Sequence, residues 1–248
     1  MVAAAIGAAG TGCRHEAPSP IDPAVASAIP ASATLLAGAN LERVRASPLA
    51  GKLPPAVQTA LEPWRDAAAV VIASDGHNFL ALARGAFQQA PAGAALLSPG
   101  LAAAGSPDWV QAAARPHGAP AASPLLSRAQ SAAGSGDLWI AAAGSAKLPL
   151  TGNGENLAQL LHSTDSTTLT LRLGDPITLE IVGNCRTPEA AQRLEETVRA
   201  YVSLAAGTSR QPALADLLRR VQVRRDSGTV RVTLTAQADE LGTLFQLL

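Results

Sequence analysis

Apolar and polar positions alternate most sharply in the last third of the chain. Over residues 168–173, Leu169, Leu171 and Leu173 fall on one side and Thr168, Thr170 and Arg172 on the other. Gly174-Asp175-Pro176 is turn chemistry. Residues 177–182 alternate again, with Ile177, Leu179 and Ile181 against Thr178, Glu180 and Val182. Two such runs across a short turn predict an antiparallel hairpin with one wet face. The period then lengthens. Thr187-Pro188-Glu189 offers an N-cap, a first-turn proline and an acid suited to the helix dipole. The helix it opens gathers Ala191, Leu194, Val198 and Val202 on one face, and Gly207 is a stop signal. Pro212 opens a second helix with Leu214, Leu217 and Leu218 inward. Residues 221–225 and 229–236 read as a second hairpin around Asp226-Ser227-Gly228, and 239–247 as a short amphipathic helix. Strands in pairs separated by helix pairs predict an α+β fold, an antiparallel sheet with helices packed on one face.

The first half shows the same succession. Residues 33–41 predict a strand, and Ser47-Pro48 starts a helical region through Leu61 that breaks at Pro54-Pro55. Residues 68–73 and 78–83 flank Asp75-Gly76, a strong hairpin signal. Ser106-Pro107-Asp108 and Ser123-Pro124 open two helices, and 138–143 reads as a further strand. This suggests an internal duplication into two similar two-layer sandwiches. The expected organisation is a leader at 1–13, a tether at 14–30, an N-terminal domain at 31–150, a linker with a short helix at 151–163, and a C-terminal domain at 164–248. The tether assignment rests on Pro18, Pro20 and Pro23 in a segment without apolar period.

Composition narrows the function classes. With 19 basic and 19 acidic residues the net charge is zero, so no long-range field favours nucleic acid. Aromatic residues are only 3%, which argues against base- or sugar-stacking platforms. The three tryptophans, Trp64, Trp109 and Trp139, read as core anchors. No apolar run after the first residues reaches the length needed to span a bilayer.

The leader carries the most specific signal. Residues 1–12 are uncharged and small, and Ala9-Gly10-Thr11-Gly12-Cys13 resembles the lipobox of a bacterial lipoprotein signal peptide. Two positions depart from that pattern: Gly10 stands where an aliphatic residue is usual, and the basic start is missing, as an upstream start codon would explain. The resemblance implies export, lipidation of Cys13 and attachment to a membrane through several acyl chains, since one chain alone binds marginally. Arg14, rather than Asp, implies outer-membrane retention facing the periplasm. With Cys13 acylated, Cys185 has no disulfide partner and reads as a small buried hydrophobe. Two further strings, from Ile29-Pro30-Ala31-Ser32-Ala33 through Val44-Arg45-Ala46-Ser47-Pro48-Leu49 and Leu82-Ala83-Arg84-Gly85-Ala86-Phe87, are similar to uncharacterised bacterial exported α+β proteins. That resemblance implies fold and export, and no reaction.

Catalytic motifs are missing from the linear sequence. His15, His77, His117 and His162 lack the spacing of a zinc pair, and no Cys pair accompanies them. There is no nucleophile elbow and no phosphate-binding loop; Gly134-Ser135-Gly136 reads as a plain loop. The expectation is therefore no metal, no cofactor and no enzymatic activity. The nearest approach to a site is a group on the wet sheet face, Arg172, Glu180, Arg224 and Arg231, which could dock an acidic partner; the competing reading is a solvated face with mixed charges that resists aggregation. The expected function is a lipid-anchored envelope protein that binds another protein without catalysis. Two alternatives are a carrier of an apolar small ligand or lipid between the halves, and an enzyme assembled from distant loops.

Overall fold

The structure, a computed structural model, describes residues 20–52, 55–115, 123–146 and 163–245, without the side chains of 56, 57, 60 and 242–245. It is an α+β fold built on one antiparallel sheet. The strands are β1 (Leu35–Asn40), β2 (Ala67–Ser74), β3 (Phe79–Gly85), β4 (Ala95–Ser98), β5 (Leu101–Gly105), β6 (Leu138–Ala143), β7 (Ser166–Arg172), β8 (Ile177–Asn184), β9 (Gln222–Asp226) and β10 (Thr229–Ala236). Their order is β4-β5-β3-β2-β1-β6-β7-β8-β10-β9. The expected halves meet at the β6–β7 ladder, where Ile140 faces Leu169 and Ala142 faces Thr167. The two halves thus share one sheet. The linker and its expected short helix lie largely outside the described residues.

Helices α1 (Pro23–Ala28), α4 (Pro107–Ala113) and α5 (Pro124–Ala133) cover the sheet face that carries Leu36, Val71, Ala73, Leu80, Leu82, Trp139 and Ala141. Helix α6 (Pro188–Thr208) covers Val223, Val230 and Val232 through Ala191, Leu194 and Val198. The register places Val232 beside Ile181, Ile181 beside Leu169, Leu169 beside Ile140, and Ile140 beside Ala37. Side chains alternate between faces at every step along a strand. Ala37 therefore points away from Leu36, and α6 lies on the face opposite to α1, α4 and α5. Each half packs its main helices on one face, and the two halves use opposite faces.

The second face of the first half is closed at one end. Helix α2 (Leu41–Ala46) starts where β1 stops, with Asn40 as its cap: the Arg43 N–H donates to Asn40 Oδ1 at 3.0 Å. Leu41, Ala67, Ala83, Phe87 and Ala102 form a second core there, with Leu61 and Trp64 from helix α3 (Pro55–Leu61) and the 3-10 turn Glu62–Trp64. The helix expected from Ser47-Pro48 thus begins six residues earlier, and 47–61 is divided between a 3-10 turn at Ala50–Lys52 and α3. Helices α7 (Pro212–Arg219) and α8 (Ala238–Phe245) complete the second half, and an ion pair between Lys52 and Asp239 joins α8 to the first half.

Residues 21–28 of the expected tether are folded, and residues 14–19 of it lie outside the described residues. Ile21, Val25, Ala26 and Ala28 are buried, and Asp22 caps α1 by accepting from the Ala24 N–H at 2.8 Å. The Asp-Pro start overrides the proline content, because Pro at the first helical position costs nothing. The β4–β5 hairpin was also unexpected. Its turn, Pro99-Gly100, uses a glycine at φ 75°, a conformation that side chains with a Cβ resist. Trp139 lies flat over β1: a Cβ at Gly38 would come within 2.3 Å of its ring, so only glycine permits this approach.

Two outcomes check this packing. Leu194 is buried between α6 and Val230, so Leu194→Ala should cost about 2–5 kcal/mol in denaturant unfolding. In the β2–β3 turn, Asp75 accepts from the Asn78 N–H at 2.7 Å, the Asn78 amide at 3.1 Å and the His77 N–H at 2.9 Å. These bonds, the Asn78 backbone N–H foremost, lower its pKa to about 2. An unfolded Asp titrates near ~3.9. Its contribution to stability is therefore present above that value and is lost as pH falls toward about 2. Carboxyl NMR titration should give Asp75 a midpoint near 2 in the folded chain and near the ordinary value in the urea-unfolded chain.

Candidate functional site

The register brings Arg172, Glu180, Arg224 and Arg231 to one face. Arg231 is opposite both Val182 and Arg224, Thr233 is opposite Glu180, and Glu180 is opposite Thr170. With Thr168, Thr178 and Thr235 they make the polar side of the second half, which among the described residues only α5 borders. These charges are already engaged. Arg231 and Glu180 form an ion pair, the Arg172 guanidinium donates to the Ser135 carbonyl at 2.9 Å, and Arg224 donates to the Gln222 side chain at 3.3 Å. A groove of about 240 Å³ runs between α5 and this face, lined by Arg128, Ser131, Thr168, Thr170, Glu180 and Asn184.

The opposite face has different chemistry. Reading across the ladders, Ala81, Ile72, Ala37, Ile140, Leu169 and Ile181 form one continuous apolar row over six strands. A second row toward one end holds Phe79 and Leu35, and a third toward the other holds Leu138, Leu171 and Leu179. No charged residue stands in these rows. Helix α6 packs on β9 and β10 and reaches Gly183 of β8 through Leu194, and α2 closes one end, so among the described residues the floor between them carries no helix. Ile72 is 40% exposed, Phe79 53% and Ile140 37%. Leu169, Leu179 and Ile181 are half-buried. The alternation read in the sequence was right, but the leucine face of β7 and β8 is a partly open floor rather than a closed core.

Other candidates are placed as follows. Cys13 lies outside the described residues, as do His15, His117 and His162. Cys185 packs half-buried beside the α6 core, and burial, with a lesser effect from Asp165, pushes its thiol above the usual range. No group of three or more His, Cys, Asp or Glu side chains converges among the described residues. No described helix is long and apolar enough to cross a membrane. Sequence reasoning missed Asp137, which follows the glycine-rich loop and is 4% exposed. Its Oδ2 accepts from the Leu173 N–H at 2.7 Å, and the Arg43 Nε lies 3.3 Å from its Oδ1. Only the turn from a polar loop into a strand hinted at it.

Comparison with solved structures shows the fold. Crystal form III of TP0453 superposes with a TM-score of 0.53 at 10% identity, over 92% of this chain and 99% of that one. Crystal form I of TP0453 gives 0.51 at 10% identity, over 92% and 98%. No family model and no curated protein matches the chain. The likeness extends over nearly the whole of both chains, so the ten-stranded arrangement belongs to a fold seen before.

The polar face gives one measurable expectation. Glu180 and Arg231 are both substantially exposed, and pairs of this kind contribute about 0–1 kcal/mol. Glu180→Gln should therefore change unfolding stability by under ~1 kcal/mol, and the difference should shrink in 1 M salt, where the Debye length is ~3 Å.

Proposed function

We propose that this chain is a lipid-anchored cell-envelope protein, held through Cys13, that works without catalysis by docking the apolar stripe of a partner helix on its open sheet floor. The observation that carries this reading is the six-strand apolar row from Ala81 to Ile181, with Ile72, Phe79 and Ile140 exposed on the same side. A monomer rarely leaves so broad an apolar patch in water unless something binds it. The floor also restricts its occupant. The backbone groups of its strands are spent on neighbouring strands, so an extended peptide laid there would bury its amides unpaired. A helix satisfies its own backbone and presents a stripe of side chains, which suits a flat floor walled by α6 on one side and α2 at one end.

The anchor fits this geometry. Folded structure begins by Ile21, so only Arg14 to Pro20 separate the acylated residue from the fold. Seven residues reach at most roughly 25 Å. The partner is therefore met close to the membrane surface. Localisation in the outer membrane facing the periplasm follows from Arg14 after the lipobox.

A photo-crosslinking residue in place of Ile140, in the full-length chain in intact cells, tests the docking. The expected result is a discrete protein adduct whose crosslinked peptide repeats apolar residues every three to four positions, and its loss in Ile72→Asp. Adducts to lipid alone would overturn the reading in favour of an acyl-chain carrier. Adducts formed only from position Arg224 would overturn it in favour of the polar face. Mass spectrometry of the mature N-terminus checks the anchor: an acylated Cys13 is expected, and an unmodified Met1 in the soluble fraction would refute it.

A further inference from the structure

A second site lies on the other side of the sheet, within the first half. Between α1, α5 and the strands beneath them is a cavity of about 270 Å³. Its walls are Ile21 and Val25 from the α1 segment, Val71 and Leu82 from the sheet, Ala133 from α5, and the Trp139 ring. One carboxylate oxygen lining it has an ion-pair partner but no hydrogen-bond donor. Asp137 is 4% exposed and lines the cavity, and its Oδ1 receives no hydrogen bond. Its other oxygen is used by the Leu173 N–H. The Arg43 guanidinium, 3.3 Å from Oδ1, balances the charge. At the mouth, Arg84 and Asp22 balance each other at 3.4 Å.

We propose that this cavity binds a small uncharged molecule with an apolar body and one hydroxyl or N–H donor, the donor bonding to Asp137 Oδ1. Three features set that chemistry. A dry apolar cavity of roughly 150 Å³ holds a benzene ring, so this one accommodates a ring with substituents. The walls are mostly aliphatic, with Asn40 a further polar side chain among them, and the Trp139 ring offers a stacking surface. A buried acceptor without a donor costs ~1–3 kcal/mol, which a ligand hydroxyl recovers and a methyl ether does not. A cation would meet Arg43, and an anion would meet the Asp137 carboxylate, so neither is favoured. This site is independent of the helix-docking floor, which lies on the opposite face.

Phenol and anisole, which share the ring and the oxygen and differ in the hydroxyl donor and one methyl group, are the probes. Titrated into the folded chain and followed by NMR, phenol should saturably shift the Val71 and Ala133 amides and the Trp139 indole N–H, and should bind about tenfold or more tighter than anisole. Ala133→Leu fills the cavity from a buried helix position and should abolish saturable binding while the remaining spectrum stays folded. Because the phenol–anisole comparison uses the unaltered chain, it decides the matter even if Ala133→Leu fails to fold. Absence of saturable shifts with phenol, equal affinities for the two probes, or undiminished binding to a folded Ala133→Leu would each overturn the proposal.

Discussion

The antiparallel ladder between β6 and β7 sets the architecture of this molecule. Six residue pairs, from Leu138 with Leu171 to Ala143 with Ser166, lock the register of the two halves. A slip of one position would flip every side chain of one half to the other face. In the observed register, Ile140 and Leu169 are on the same side, while Trp139 and Thr170 are on the other. The first half has buried the Trp139 side under α1, α4 and α5. The second half has made its Thr170 side polar and has placed α6 on the Leu169 side. Joined in this register, the helices of one half cannot reach over the apolar residues of the other. The open floor is therefore a product of the join and belongs to neither half alone.

This also explains what could be read beforehand. Alternation in 168–182 and 229–236 gave the second hairpin pair and the side each residue takes, because a partly wet strand writes its two faces into the sequence. The capping strings Thr187-Pro188-Glu189 and Ser123-Pro124 marked helix starts within a residue. What the strings cannot encode is which helix lies above which strand. Leu179 looks like a core residue in any one-dimensional reading, and only the limited reach of α6 shows it half-covered. The β4–β5 hairpin escaped for a different reason. Three of the residues in Leu101–Gly105 are alanine, which has little strand preference, and only Pro99-Gly100 announced the turn. Segment 20–30 escaped because its prolines suggest extended chain, whereas Pro23 stands at the one helical position that tolerates it.

The candidate site was legible in one sense. Arg172, Glu180, Arg224 and Arg231 do share a face, as strand parity requires. Their partners were not legible: Ser135 comes from the loop after α5, and Gln222 shares an edge strand with Arg224. Once those bonds are counted, the polar face spends its charges on itself. The apolar face has no such internal use for Ile72, Phe79 and Ile140. Burying an apolar surface is worth roughly 25 cal/mol per Å², and that free energy is what the proposed docking would draw on.

Helix α1 connects these arguments to the anchor. It is only one and a half turns long, too short to persist by itself in water. Its stability comes from Val25, Ala26 and Ala28 against the sheet and from the Asp22–Arg84 pair. Asp22, Val25 and Arg84 also line the cavity above Trp139, and α1 is the first described helix after the cysteine that we propose to be acylated. A ligand that fills the space beneath α1 would add contacts to the folded helix that the detached segment lacks. By linkage it would hold α1 down. Were Cys13 anchored as proposed, detachment of α1 would lengthen the reach from the membrane by its own extended length, about 3.5 Å per residue.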